Sequence, residues 1–317
     1  MNRGRIAILV PCRNAGVLLS ETIGSAAGSG LPQDAYAWLI SDNASDDGST
    51  SSLPSRDANG ASIILSRNSR DLGRVENWNC ALRAAEQRGF AYGFFLMAGD
   101  LLHGDGLIRL QAQMDRSGAF LGLGSYDVVD SQLRRLRTAR RLAWKADTTG
   151  TIGVPEFVAQ SLAVGGMLFG PLGANLYRLD DAVRLRFDPS DPTHTDQRAT
   201  ADFACNAGRQ IVYVDHVVSR WRARSGRFHA QMNHWNRLEG DLRTIDACCR
   251  LAGVEPDRSR IAATFLLRTL SQTGFRSAAA LYRPLQQHVR FTLSSVLWAA
   301  KLFWRQTRYG TPWFITK

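Results

Sequence analysis

Four short apolar runs, each closed by a polar turn, fall within the first hundred residues. This alternation constrains the fold more than any other feature of the chain. Ile6-Ala-Ile-Leu-Val10 is apolar throughout and rich in branched side chains, as a strand buried on both faces of a parallel sheet requires. Pro11 is expected to stop it, and Val17 to Ala27 carries apolar residues at the helical positions 18, 19, 23, 26 and 27. Ala37-Trp-Leu-Ile40 reads as a second strand, ended by the polar cluster Ser41-Asp-Asn-Ala-Ser-Asp-Asp-Gly48, and Ser62-Ile-Ile-Leu65 as a third. Trp78 to Gln87 reads as a helix closed by Gly89, and Phe90 to Met97 as a fourth strand running into Ala98-Gly99-Asp100. Strands and helices in this order predict a doubly wound α/β sheet.

The middle of the chain is less regular. Phe120 to Val129 is a strand, Leu133 to Trp144 a hairpin or a flap, and Val154 to Leu162 a helix. Gly165 to Gly173 is a loop with four glycines in nine residues, followed by a strand over Asn175 to Tyr177. Thr195 to Ala207 reads as a helix ended by Gly208, and Gln210 to Val214 as a further strand. Beyond about residue 230 the pattern is helical, over Trp235–Ala252, Arg258–Gly274 and Pro284–Arg305. The expected organisation is an α/β domain over 1–228 and a basic helical region over 229–317.

With 317 residues and 44% hydrophobic content the chain can bury a large core. That excludes a disordered tail, a collagen-like repeat and a disulfide scaffold. The five cysteines are scattered, without the spacing of a metal finger. The first apolar run is too short for a secretory leader, so a cytoplasmic location is expected, with peripheral attachment to the cytoplasmic membrane face. The charge of +11 is unevenly spread. Residues 1–216 hold 22 Lys and Arg against 23 Asp and Glu, whereas residues 217–317 hold 17 against 5. From Arg258 to Lys317 there are ten basic residues and no acidic one. Such asymmetry points to an anionic surface.

Ligands of open α/β sheets bind beyond the carboxyl ends of the strands. Neither a G-x-G-x-x-G after the first strand nor a G-x-x-x-x-G-K-[ST] is present, which counts against a dinucleotide dehydrogenase and excludes a P-loop enzyme. The strand ends offer acids instead: Asp42, Asp46, Asp47 and Asp100. Carboxylates there suit ribose hydroxyls, base N–H groups and a hard divalent cation bridging to phosphate. The bland alternative for Asp42 and Asp47 is an Asx-type turn that only shapes the loop.

Ile-Leu-Val-Pro-Cys-Arg-Asn (8–14), followed by Ser-Asp-Asn-Ala-Ser-Asp-Asp-Gly-Ser-Thr (41–50), resembles the start of family-2 glycosyltransferases. Asn68 to Gly73 with Val75-Glu-Asn-Trp-Asn79, Phe94 to Asp100, Thr195 to Gly208, and Tyr213 with Ser219-Arg-Trp-Arg222 extend the likeness over roughly residues 5–228. The resemblance implies a GT-A fold, a Rossmann-like mixed sheet flanked by helices, here with a C-terminal helical extension. It implies a nucleotide-sugar donor held by Pro11, Arg13, Asn14, Asp42 and Asp47, with Arg74 and Arg83 as candidate pyrophosphate partners. Asp100 is the position that would hold Mg2+ or Mn2+, although the family presents two or three acids where this chain has Met97-Ala98-Gly99-Asp100. Asp196 is the implied base of an inverting transfer to a hydroxyl acceptor; the bland alternative is a helix N-terminal acid favoured by the dipole. Gly173 and Asn175 fall where the family shapes its acceptor pocket. Asp202 reads as structural.

The C-terminal segment bears on the partner. Its apolar positions 289, 293, 296, 300 and 303 keep the helical period, with Arg290, Lys301 and Arg305 flanking them. Phe303, Trp304, Tyr309, Trp313 and Phe314 add aromatics among the basic residues. The run is too short and interrupted to span a bilayer. It suits a helix lying in an anionic membrane interface, or else one packed on its own domain. With the resemblance, this implies a lipid-linked glycan acceptor and a role in cell-surface polysaccharide or glycolipid assembly. The alternative is a catalytically inactive GT-A-fold scaffold recruited to the membrane. No nucleic-acid partner is expected, because the aromatics sit in apolar stripes.

Overall fold

The computed structural model describes residues 4–139, 149–163, 169–179, 183–190, 195–208, 210–223, 234–273, 276, 278–279, 282, 285–286 and 289–309. Strand β1 (Ile6–Cys12) is buried along its whole length and lies between β2 (Tyr36–Asp42) and β4 (Tyr92–Phe95), parallel to both. The edge strand β3 (Ile63–Arg67) pairs with β2. Helix α1 (Val17–Gly24) connects β1 to β2, and α2 (Arg74–Gln87) connects β3 to β4. The strand expected to stop at Pro11 runs on to Cys12. Pro11 lies beyond the last β1 residue paired with β4, Leu9, and is opposite Ser41 of β2, so its missing N–H interrupts no ladder on the β4 side.

The second half of the sheet is mixed. Strands β5 (Leu101–Leu102), β6 (Leu121–Val129), β7 (Arg135–Ala139), β8 (Thr149–Gly153), β9 (Asn175–Arg178) and β10 (Gln210–Arg222) complete a ten-stranded sheet. Its main order is β3-β2-β1-β4-β9-β6-β10-β5, with β7 on β6 and β8 on β10. Helices α3 (Gly106–Ser117), α4 (Val154–Ala163) and α5 (Thr195–Asn206) follow β5, β8 and β9. Helices α6 (His234–Ala252), α7 (Arg258–Thr273) and α8 (Leu293–Tyr309) form the C-terminal region.

Strand side chains alternate between two faces, and each face has its own core. Ile6, Ile8, Val10, Trp38 and Ile40 pack with Leu19 and Ile23 of α1 and with Leu107, Leu110 and Met114 of α3. Ala7, Leu9, Ala37 and Leu39 pack on the other side with α2, Phe157 of α4, Phe203 of α5, and Cys248 and Cys249 of α6. Helix α6 thus joins the core of the α/β sheet, while Ile261, Ala262, Leu285 and Val289 build a smaller cluster beyond it. Of the helix expected over Pro284–Arg305, residues 285–286 are helical, 284 and 287–288 lie outside the described residues, 289–292 are not helical, and α8 begins at Leu293. Thr292 caps it: its Oγ1 accepts the Ser295 N–H at 3.0 Å, and the Ser295 Oγ accepts the Thr292 N–H at 3.0 Å.

Candidate functional site

Strand order reverses between β1 and β4: β2 and β3 lie to one side of β1, and β4 leads to the rest of the sheet on the other. A crevice at such a switch point, outside the carboxyl ends of the strands, is where open α/β sheets take their ligands. Here its rim consists of the turn after β1, the loops after β2 and β3, and the segment from Leu96 to Asp100.

The first three of these loops are bound to one another. Arg13 donates to the carbonyl of Asn43 at 3.0 Å and pairs with Asp71 at 3.2 Å. Asn14, at a φ of 49°, receives the Asp46 N–H on its Oδ1 at 3.0 Å and donates its own N–H to Ser45 Oγ at 3.0 Å. Asn tolerates this left-handed backbone better than most residues. Asp47 accepts the Gly16 N–H at 2.9 Å and the Ser49 N–H at 2.9 Å. The Ser49 hydrogen bonds hold its carboxyl below the usual carboxylate range. Asn43 Oδ1 accepts the Leu72 N–H at 2.9 Å, which brings in the segment leading to α2.

Asp42 is fully buried. Its Oδ1 accepts the Ser45 N–H at 2.9 Å and the Ser45 hydroxyl, and its Oδ2 accepts the Thr50 hydroxyl at 2.8 Å with Arg67 Nε at 3.7 Å. This is loop-shaping geometry, and it folds the segment that Asp47 and Asn14 hold from outside. Arg74 opens α2 on the same rim, its guanidinium 5.0 Å from the Trp78 ring centroid. Arg83 pairs with Glu76 at 2.7 Å.

Asn77 and Asn79, two buried polar residues of α2, are structural partners whose role the sequence does not announce. Asn77 donates to the Ser41 carbonyl at 3.0 Å and accepts from Ser41 Oγ at 2.7 Å and Asn68 at 3.0 Å. Asn79 exchanges two hydrogen bonds with the backbone of Phe187, at 2.9 and 3.0 Å. The available signal was a polar residue on an otherwise apolar helix face, which must find partners when buried.

Asp100 is 4% exposed. Its Oδ1 accepts the backbone N–H of Arg222 at 3.0 Å, and its carbonyl accepts the hydroxyl of Thr22 at 2.9 Å. Arg222, the last residue of β10, pairs with Glu21 of α1 at 2.5 Å. Asp100 therefore sits where β10, α1 and the β4 exit converge. Among the described residues no three His, Cys, Asp or Glu side chains are grouped to cage a metal. A lone carboxylate fits a hard cation that takes its remaining ligands from a diphosphate and water, as Mg2+ commonly does.

Asp196 lies in the first turn of α5, half-buried. That turn is anchored by a relay of hydrogen bonds. Asn175 Nδ2 donates to Tyr177 Oη at 2.9 Å, Tyr177 Oη lies 2.8 Å from Thr200 Oγ1, and Thr200 donates to the Asp196 carbonyl at 2.7 Å. Asn175 is fully buried and also donates to the Phe169 carbonyl at 2.6 Å. The Gly173 carbonyl accepts the Ser219 hydroxyl on β10, and an added Cβ at Gly173 would stand 3.5 Å from the Phe95 carbonyl. The 169–175 segment thus links the turn of Asp196 to the strand whose end binds Asp100. At the start of α5, a cavity of about 460 Å3 is lined by Arg186, Asp188, Thr195, Arg198, Asp202 and Arg250, among others. Asp202 is exposed, whereas Phe203 and Ala204 beside it are buried. Residues 165–168, Arg140 and Arg141 lie outside the described residues, as do the side chains of Phe303, Trp304 and Tyr309 and all of Trp313 and Phe314.

No family model and no curated protein matches the sequence. Solved structures do match the fold. S. aureus TarS 1–349 in complex with UDP-GlcNAc aligns over 97% of this chain and 92% of that chain, at 18% identity and a TM-score of 0.63. The mannosyltransferase PcManGT from Pyrobaculum calidifontis, in complex with GDP-Man and Mn2+, aligns over 96% and 81%, at 16% identity and 0.55. GalNAc-T7 with UDP, GalNAc and Mn2+ aligns over 97% and 58%, at 12% identity and 0.52. The mixed sheet, its helical layers and these alignments establish that the chain has the GT-A fold of nucleotide-sugar glycosyltransferases.

Proposed function

We propose that this protein is an inverting glycosyltransferase of family-2 type, moving a sugar from a nucleoside-diphosphate donor to a hydroxyl acceptor. The observation that carries this reading is the reversal of strand order between β1 and β4, with bound-together polar loops at the strand ends on one side and Asp100 after β4 on the other. Pro11, Arg13, Asn14 and Asp47 contact the nucleoside, and Asp42 holds their loop in shape. Arg74 faces the pyrophosphate from the start of α2. Asp196 takes the proton of the acceptor hydroxyl as its oxygen bonds to the anomeric carbon and the bond to the diphosphate breaks. Gly173 forms the acceptor side, and the buried Asn175 positions the turn of Asp196 through Tyr177 and Thr200. Asp100 would hold Mg2+ or Mn2+, which when bound offsets the charge gathering on the departing diphosphate. PcManGT and GalNAc-T7, which share the fold, were solved with Mn2+, which supports that assignment.

The acceptor class we assign is a hydroxyl of a lipid-linked glycan, in cell-surface polysaccharide or glycolipid assembly. The support is the excess of 17 basic over 5 acidic residues after position 216. The test is release of nucleoside diphosphate from UDP-, GDP- and dTDP-sugars with Mn2+ present. The expected result is turnover of one donor class, reduced about 10^2- to 10^4-fold in Asp196→Asn with donor affinity unchanged. Turnover unaffected by Asp196→Asn would overturn the assignment of the base.

A second reading, a non-catalytic GT-A scaffold, is favoured by one observation. The strand end carries a single carboxylate, and one of its oxygens already accepts the Arg222 amide. It requires that Asp100→Asn and Asp196→Asn both leave the protein's function intact.

A further inference from the structure

Over residues 293–301, whose side chains are described, helix α8 turns its aliphatic residues outward. The fully buried residues there are small, Ser295 and Ala299 at 1% exposure each, and the half-buried Trp298 carries Arg260 over its ring at 5.4 Å. Leu293, Val296 and Leu297 point to solvent, at 76%, 43% and 60% exposure. Ala300 and Lys301 are exposed as well. Positions 293, 296, 297, 300 and 301 follow the i, i+3, i+4, i+7, i+8 spacing of one helix face. Of the apolar stripe read from sequence, Val289 is buried in the cluster with Ile261 and Leu285, so the outward ridge begins at Leu293. A helix serving only its own domain buries its leucines and shows its small polar residues. This one does the reverse.

Charge identifies what covers the ridge. Arg290 and Lys301 are exposed on either side of it, and the segment from Arg258 to Lys317 contains ten basic residues and no acidic one. A second copy of the chain would bury the leucines but bring like charges together. An anionic bilayer satisfies both features, taking aliphatic side chains at the acyl boundary and cations among the headgroup phosphates. Among the described residues, no helix is long and apolar enough to cross a membrane. We propose that α8 lies in the plane of an anionic lipid surface, with Leu293, Val296 and Leu297 inserted and Arg290 and Lys301 on the headgroups. This rests on α8 and its charge alone, and it stands whether or not the glycosyl-transfer reading does.

The test is co-sedimentation of the full chain with vesicles of phosphatidylcholine alone, or with roughly one-third phosphatidylglycerol. Binding is expected to the anionic vesicles only, weakening as salt rises from about 50 to about 500 mM. The double variant Val296→Glu/Leu297→Glu is expected to lower the partition coefficient about ten-fold or more. Its circular dichroism is expected to match wild type, because both positions are exposed; if it does not fold, Leu293→Ser at the most exposed position carries the same expectation. Failure of the wild type to bind would overturn the proposal, as would equal binding to neutral vesicles or wild-type binding by the variants. Self-association that the same substitutions abolish, without vesicle binding, would assign the face to a second copy and also overturn it. Nucleotide titration on the same samples keeps this result separate from that of the donor site.

Discussion

At the scale of single residues, Asp42 shows how a strand-end acid can matter without meeting solvent. Its oxygens receive the Ser45 amide and the hydroxyls of Ser45 and Thr50, and the carboxylate is fully buried. Removing it strands those donors, so Asp42→Ala is expected to lose about 3 kcal/mol in urea unfolding, with Asp42→Asn recovering part of the loss. Asp47 works from outside the same loop. Its carboxyl is held below the usual range, so its link to Gly16 is in force at neutral pH and released only as pH falls through that lowered value. Burial pushes the Cys12 thiol up to about 12 and Cys249 to about 11, and raises Cys248 further. Cys12 is then held as the unreactive thiol at pH 8. Iodoacetamide at that pH is expected to modify only Cys80 and Cys205 in the native protein, by mass spectrometry of the digest. Rapid alkylation of Cys12 would show that β1 is not packed as described.

At the scale of elements, α3 approaches β10 backbone to backbone. A Cβ at Gly106 would stand 2.4 Å from the Val217 carbonyl, a contact no rotamer change relieves. Gly106→Ala is expected to destabilise the fold by about 2 kcal/mol, measured as a lower urea midpoint with an unchanged slope; a neutral effect would mean the helix sits further out. Legibility also divides at this scale. Strands β1 and β2 were readable because they are buried on both faces and therefore apolar at nearly every position. The apolar pattern of β10 is legible only to Val214, because irregularities at Val214–Val217 and Val217–Ser219 break its alternation around Asp215 and His216, and only the resemblance carries the strand on to Ser219–Arg222. Helix α2 begins four residues before the apolar pattern does, since its first turn packs polar residues such as Asn77 against Ser41 and Asn68. The acids of the candidate site were visible as residue types at strand ends. What each one touches was not, because Thr22, Asn175 and Arg222 come from distant parts of the chain.

At the scale of the whole molecule, one crevice and one outward ridge define the account. The candidate site lies at the reversal of strand order, and neighbours with the same fold were solved in complex with UDP-GlcNAc or with GDP-Man and Mn2+. The proposed lipid-facing ridge on α8 would place the molecule on the surface where a lipid-borne acceptor lies. The central claim is that the crevice binds a nucleoside diphosphate through a metal held at Asp100. The most direct measurement is isothermal titration of UDP, GDP and dTDP into the full chain, with and without Mn2+, alongside Asp100→Asn. The expected result is binding of one diphosphate that strengthens about ten-fold or more with Mn2+, and loss of that gain in Asp100→Asn. Binding of none of the three, with or without the metal, would contradict the account.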